Sequence, residues 1–391
     1  MDIIEGIEKE TEKRQFYYNQ FRYLNLIITV GSCNYRDFIW LNEFILPQFE
    51  VIDSSSSDCI IHVIMYDKQF DTLLQRGSKG NESIDGFHLD TKIVKLILWD
   101  SSPGKMILFD EEFKVFYIIS DDGKKVYILA HSEKSIAFRT ALMRVMVEYA
   151  VNRAHSHTGG FLHSSAFRYR DQGIVIAGPK NSGKTSLLIY FLQNLSAQFI
   201  SNDRVFISMN GCGSVIHGIP TVITVLENSL SMFPRVKMNL LQYYYHHRYT
   251  IGEILRRGCI PYTLEKGEFT LSAGQFYELL DIIGSSDAPL SAVLFPRICM
   301  ETCSLSLRRL SLEVILERLQ ESRFAKNIEE KKTIFCADAI DGTKTLNYHE
   351  FCRRIACSVP CFDFYMGPDP YKNKHIQVLL ENMLLKNGIT I

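Results

Sequence analysis

The chain has 391 residues, 46% of them hydrophobic, which is enough for two or three packed cores. Lys plus Arg (43) nearly balances Asp plus Glu (44), so no global field draws the chain toward nucleic acid or an anionic membrane. The opening segment from Met1 to Arg14 is charged and acidic, unlike a secretory signal. No apolar run approaches the roughly eighteen residues of a membrane span, and the expected location is the cytoplasm. Ten cysteines are scattered without a C-x-x-C pair. The closest groups are Cys299/Cys303 and Cys352/Cys357/Cys361, which in that compartment are expected to be reduced thiols.

In chain order, the first region runs to residue 133 and is strand-rich. Leu24–Val30, Cys59–Met65, Lys92–Leu98, Lys105–Phe109, Phe113–Ile119 and Lys125–Leu129 carry β-branched and aromatic residues between turn signals. Asp121-Asp122-Gly123 reads as a hairpin turn between the last two. A helix interrupts the set near Tyr35 to Leu46. A long helix follows from Ser135 to His155, with Ile136, Phe138, Leu142, Val145, Met146, Tyr149 and Ala150 along one face. It leads into a second region, residues 134–330. Residues 331–391 are expected to complete or cap that second unit.

The second region opens with a strand from Gly159 that carries His163, turns at Asp171-Gln172-Gly173, and returns as the apolar strand Gly173–Ala177. That strand runs into Gly178-Pro179-Lys180-Asn181-Ser182-Gly183-Lys184-Thr185, which fills every fixed position of the pattern G-x-x-x-x-G-K-[ST], and a helical pattern begins at Ser186. Strand, loop and helix in register mark a nucleotide site. The two glycines let successive backbone N–H groups face inward, and the helix N-terminus adds partial positive charge. Lys184 is placed to reach the β/γ-phosphates of ATP, and the Thr185 hydroxyl to ligate Mg²⁺. Beyond the loop helix, Gln198–Ser208 is a strand interrupted by the polar pair Asn202-Asp203. An acidic residue so soon after a phosphate loop suits metal-assisted phosphoryl transfer.

Leu162-His163, the phosphate loop, Ser201-Asn202-Asp203-Arg204-Val205 and the later Gly218-Ile219-Pro220 together resemble the HPr kinase/phosphorylase family and its relatives among bacterial peptide-tailoring kinases. The likeness spans residues 135 to 391 and includes Pro289–Phe295, Leu305–Glu313 and Val359–Phe364. The resemblance implies an α/β fold with the HPr-kinase type of P-loop core, related to phosphoenolpyruvate carboxykinase, beneath a strand-rich α+β N-terminal domain. It also implies ATP- and Mg²⁺-dependent transfer of the γ-phosphoryl group to a hydroxyl, commonly of Ser. Gly178, Gly183, Lys184 and Thr185 match the family's motif without change. Elsewhere the chain departs: Asn202-Asp203 stands where HPr kinases have two aspartates, and Val215 and His217 stand where they have an acidic residue and Arg. Those differences argue against true HPr kinase activity and its phosphorolysis.

The expected site is therefore Gly178 through Ser186 for the nucleotide, Thr185 and Asp203 for Mg²⁺, and Lys184, Asp203 and His163 for catalysis. The general base is either Asp203 or His163. A lone His on an apolar strand can equally be a packed residue, and Asp203 a strand-end carboxylate paired with Arg204. His155 and His157, an H-x-H pair at a helix end, read as exposed rather than metal-binding. Between Pro234 and Lys266, six basic residues against two acidic ones are interleaved with five tyrosines. That segment reads as a solvated amphipathic insertion, or as a clamp for phosphate or an acidic peptide. The EF-hand-like run Asp338–Glu350 has Ala339 and Tyr348 at ligand positions and reads as a turn. The expected partner is a hydroxyl-bearing peptide, protein or metabolite, not nucleic acid or membrane. Homo-oligomerisation is left open. The rival readings are a nucleotide-dependent binding module without phosphotransfer and an RNA-directed P-loop enzyme, the latter predicting strongly salt-dependent RNA binding.

Overall fold

The computed structural model describes residues 3–78, 82–87, 93–102, 104–132, 137–154, 159–210, 213–226, 233–239, 268–298, 305–323, 335, 347–366 and 376–386. They form a mixed α/β fold on two large sheets.

The first sheet has nine strands: β1 (Tyr17–Tyr23), β2 (Leu26–Ser32), β3 (Glu50–Ile52), β4 (Cys59–Met65), β5 (Ser83–Phe87), β6 (Ile93–Ser102), β7 (Lys105–Asp110), β8 (Val115–Ser120) and β9 (Lys125–Ala130). Their order is β3-β1-β2-β4-β9-β8-β7-β6-β5. The β2–β4 and β4–β9 pairs are parallel and the others antiparallel. Helices α1 (Ile3–Lys13), α2 (Arg36–Ile45), α3 (Asp67–Arg76) and α4 (Ala137–Ala154) accompany it.

Period-two alternation divides its side chains between two cores. On β8, Val115, Tyr117 and Ile119 join the core that holds α2 and α4, whereas Phe116 and Ile118 face Phe70 and Leu73 of α3. Both faces are thus covered, which explains why β8 reads as a continuous apolar run. Helix α4 contributes Phe138, Leu142, Val145, Met146, Tyr149 and Ala154 to the first of these cores, so that core extends to Ala154.

The second sheet contains β10 (Gly159–Tyr169), β11 (Gln172–Ala177), β12 (Gln198–Ser201), β13 (Arg204–Asn210), β14 (Gly213–Gly218), β17 (Asp287–Ile298), β18 (Ser306–Arg309) and β19 (Cys361–Met366). Strands β15 (Ile223–Leu226) and β16 (Glu268–Leu271) form a separate antiparallel pair. The order β11-β10-β13-β14-β17 closes on itself because β11 also pairs with β17 in parallel. Five strands therefore form a closed ring, from which β19 and β18 extend.

Alternation along β11 again decides the packing. Ile174 and Ile176 meet α5 (Lys184–Asn194), while Val175 and Ala177 join Leu162, Val205, Ile207, Val293 and Phe295 in another core. Helix α5 is apolar nearly all round and buried from Ser186 to Leu192, as a helix packed on more than one side must be. Helices α6 (Ala273–Leu280), α7 (Leu312–Glu321), α8 (Tyr348–Ser358) and α9 (Ile376–Lys386) complete the labelled elements.

The two units meet through α2 and α6. The Ser272 hydroxyl donates to Glu43 Oε2 at 3.2 Å, and Gln48 Nε2 donates to the carbonyl of Ile200 at 2.7 Å. Phe161, Phe206 and Ile219 of the second unit belong to the first unit's core. Among the described residues, no helix is long and apolar enough to cross a membrane.

Candidate functional site

The hairpin β10–β11 sets the site. Ser164 is paired with Ala177, the last residue before the 178–185 loop, and His163 is paired with Arg204 on the neighbouring β13. His163 thus lies beside the strand end that feeds the loop, as the hairpin reading expects. Its backbone N–H donates to the carbonyl of Ser322, just past α7, at 2.8 Å.

The loop depends on unusual backbone angles. Gly178 has φ +151°, which strains any side chain, and a Cβ there would also press on Ser182 Oγ at 2.7 Å. Asn181 has φ +66°, which Asn tolerates, and Gly183 caps α5 in the left-handed region at φ +94°. Pro179 and Lys180 are exposed, Thr185 is half-buried in the first turn of α5, and Ser186 is buried. Lys184 opens α5 with only 8% of its surface exposed, and its ammonium donates to the carbonyls of Gly178 and Pro179, at 2.9 Å each. Burial lowers its pKa to about 8, against the opposing pull of the Asp203 carboxylate.

Asn202-Asp203 forms the link between β12 and β13. The Ser201 hydroxyl closes it by donating to the carbonyl of Arg204 at 2.6 Å. The Ser165 hydroxyl and the Ser164 N–H pin it to β10 through the carbonyls of Asn202 and Asp203, at 2.5 and 3.0 Å. So held, the Asp203 carboxylate has one oxygen 3.2 Å from His163 Nδ1 and the other 3.4 Å from Arg204 Nε, both ion-pair distances. The pKa of His163 is lowered by burial first, raised by Asp203, and lowered again by Lys184, Arg204 and Lys180. His163, Lys184 and Asp203 therefore share one electrostatic neighbourhood. The ring is neutral at neutral pH, and the Asp203 contact favours a proton on Nδ1, leaving Nε2 as an acceptor.

The described residues contain no cluster of three or more His, Cys, Asp or Glu side chains able to hold a metal by themselves. Mg²⁺ needs no such cluster, since one or two protein oxygens with phosphate and water complete its shell, and Thr185 and Asp203 carry oxygens of that kind. Two buried oxygens at the site, Ser182 Oγ and Asn202 Oδ1, also have no hydrogen-bond partner, and a polar ligand would supply one.

Sequence reasoning underused Arg204, 3% exposed beside Asp203. Its signal was its place next to the acidic residue. It missed Arg297, two residues beyond Phe295 on β17. Strand register puts Arg297 at the loop end of the sheet, since Ile176 pairs with Leu294 and Pro296 lies against Gly178. Arg297 Nε stands 3.4 Å from Asp363, which also binds Arg318. In the basic segment only Arg235 and Lys237 lie within the described residues, on a helical turn at 234–239. His155, His157, Cys299, Cys303 and most of the EF-hand-like run lie outside them.

No protein-family model matches the sequence, and no curated protein matches it significantly. Among solved structures, the chain aligns with the Hpr(Ser) kinase/phosphatase from Coxiella burnetii, at 11% identity, over 58% of this chain and 91% of that one, with a TM-score of 0.28. A likeness of that degree carries no argument about activity.

Proposed function

We propose that the chain is an ATP- and Mg²⁺-dependent kinase of the HPr-kinase-like class, acting on a Ser-type hydroxyl of a peptide, protein or small molecule. One observation carries this reading: the His163–Asp203 pair stands beside a glycine-rich loop whose lysine is buried at the head of a helix. Loop N–H groups, the α5 N-terminus and Lys184 hold the phosphate oxygens. Thr185 and Asp203 would hold Mg²⁺, which would supply positive charge against the phosphate oxygens. His163 Nε2 accepts the proton of the acceptor hydroxyl as its oxygen bonds to the γ-phosphorus. The bond from that phosphorus to the bridging oxygen breaks and ADP leaves. Asp203 orients the ring and stabilises its protonated form.

Mass spectrometry tests this directly. Candidate acceptors are incubated with ATP and Mg²⁺ and with wild type, Lys184→Ala or Asp203→Asn. The expected result is a gain of one phosphate that Lys184→Ala abolishes and Asp203→Asn cuts to a residual level. Tight nucleotide binding with no phosphorylated product would instead identify a nucleotide-dependent binding module.

A further inference from the structure

Away from the loop, a cleft of about 560 Å³ opens where the first unit meets the closed ring. It is lined by Arg22, Tyr23, Gln48 and Glu50 on one side and by Ser208, His217 and Asp287 among others on the opposite side. Its size and its place between two units are those of ligand sites in general.

Three features of the cleft point to one kind of occupant. The first is an unfilled pair of hydrogen-bonding groups in its wall. Tyr23 is 3% exposed and Gln48 5%, and neither Tyr23 Oη nor Gln48 Oε1 has a partner. Gln48 Nε2 is already committed to the Ile200 carbonyl, so its Oε1 can only accept. Burial pushes the Tyr23 pKa up, which keeps its hydroxyl a donor. One acceptor and one donor left over in the same wall match the N–H and C=O of an amide.

The second is an open sheet edge at the cleft's rim. Strand β3 ends the first sheet, pairing with β1 on one side and with no strand among the described residues on the other. Glu50 of β3 lines the cleft, and Val51 beside it is 46% exposed. An edge that the described residues leave unpaired can serve as a template for strand addition.

The third is charge. The lining carries one permanent cation, Arg22, against the carboxylates of Glu50 and Asp287, and Arg22 is already paired with Glu50. Asp287 is exposed, and the Ser286 hydroxyl donates to it at 3.2 Å. The cleft therefore suits a segment with a basic residue.

We propose that this cleft docks an extended, basic peptide segment of the acceptor polypeptide, which adds along the outer edge of β3 and sets a backbone amide between the Tyr23 hydroxyl and Gln48 Oε1. Calling the segment an acceptor rests on the kinase reading; the cleft itself does not. Both unpartnered atoms are covered by neighbouring groups, so entry of the peptide includes a small parting of the walls.

The test uses the full chain without nucleotide, which keeps it separate from phosphotransfer. The probes are fluorescein-labelled, acetylated heptapeptide amides with a central Ser. One set carries Lys and Arg at the flanking positions and one carries Asp and Glu. The single-amide compound N-acetyl-lysine methylamide serves as control. Binding is read by fluorescence anisotropy, and its location by hydrogen exchange. Basic peptides are expected to bind better than acidic ones and to protect backbone amides of β1, β3 and β14. Tyr23→Phe should weaken them by about fivefold, the worth of one neutral hydrogen bond. Asp287→Asn, at an exposed position that does not threaten folding, should narrow the preference for basic over acidic peptides. Absence of binding, equal binding of both sets, or affinities untouched by both substitutions would overturn the proposal. Equal protection by the single-amide control would overturn the peptide as occupant. The peptides that bind are then incubated separately with ATP and Mg²⁺: binding in the cleft with no gain of phosphate would leave the docking site standing and count against the kinase reading instead.

Discussion

His163 Nδ1 stands 3.2 Å from Asp203 Oδ1, and this pair meets the end of β11 because His163 immediately precedes Ser164, the strand partner of Ala177. If His163 Nε2 takes the proton, His163→Asn should lower kcat by roughly 10²–10⁴-fold, the range for loss of a general base. The pH profile identifies the residue more sharply. The His163 pKa lies below its ordinary 6.5, so activity should fall on the acid side of that value as the ring protonates. Asp203 raises this pKa, so the residual activity of Asp203→Asn should have its acid limb moved to lower pH. An acid limb that stays in place would mean that the group titrating there is not His163.

Lys184 is costly to the fold. Burial lowers its pKa from 10.5 to about 8, so between those values the folded chain has released a proton that the unfolded chain keeps. Where the unfolded state binds more protons, stability rises with pH, and here it should rise from about pH 8 to 10.5. Lys184→Met should flatten that rise and lift the Tm at neutral pH by roughly 2–4 °C, while abolishing phosphotransfer. Thermal melts at pH 7 and 10 check the first two effects. A lower Tm in the variant at both values would show that the bonds to the carbonyls of Gly178 and Pro179 outweigh the burial cost.

Nucleotide affinity should follow the same titration from the other side. Phosphate oxygens favour the ammonium form, so ATP binding should weaken as pH rises above about 8, and binding at pH 8 to 9 should take up a proton. Calorimetry in buffers of different ionisation enthalpy measures the uptake, and Lys184→Met should show none from this group.

The loop was legible because its pattern is local: two glycines at left-handed or otherwise forbidden angles, a lysine and a hydroxyl follow one another in sequence. The β10–β11 hairpin was legible for the same reason, through its turn residues. The closure of five strands into a ring was not, because the parallel β11–β17 contact joins Ile174 to Ala292, and nothing in either strand's alternation names its partner. Strand β1, Tyr17–Tyr23, was also overlooked, since its polar and aromatic mixture lacks the apolar run that marks β4. Helix α4 was found from its apolar face, yet its buried Thr140, Arg144 and Glu148 were not, because burial of those residues is decided by the sheet and not by the helix. Arg144, 1% exposed, is paired with Asp110 of β7 at 2.7 Å and stacks on Tyr117.

Gly218 tests how tightly the two units are joined. A Cβ there would lie 2.4 Å from the Ile200 carbonyl oxygen and 2.8 Å from Gln48 Cγ, the two groups that bridge the units. Backbone cannot yield cheaply, so Gly218→Ala should cost about 1–3 kcal/mol, the usual cost of overpacking. Urea denaturation measures the loss. A companion Gln48→Ala should recover part of it by removing one of the two clashing groups, and if it recovers nothing, the strain lies in the carbonyl contact alone.

Asp363 is 4% exposed on β19 and is bound by Arg318 of α7, whose guanidinium also lies 5.4 Å over the ring of Phe295. Its second partner, Arg297, is half-exposed, and that contact adds little because water competes for it. Removing the carboxylate leaves Arg318 mostly buried and without its counter-charge, so Asp363→Leu should destabilise by about 3 kcal/mol. Replacing both members, Asp363→Leu with Arg318→Met, removes the stranded charge and should restore most of that loss, since well-packed apolar pairs often equal the ion pairs they replace. Chemical denaturation of the two single variants and the double variant gives the coupling. A double variant as unstable as Asp363→Leu alone would show that the guanidinium contributes through its stacking on Phe295 and not through its charge.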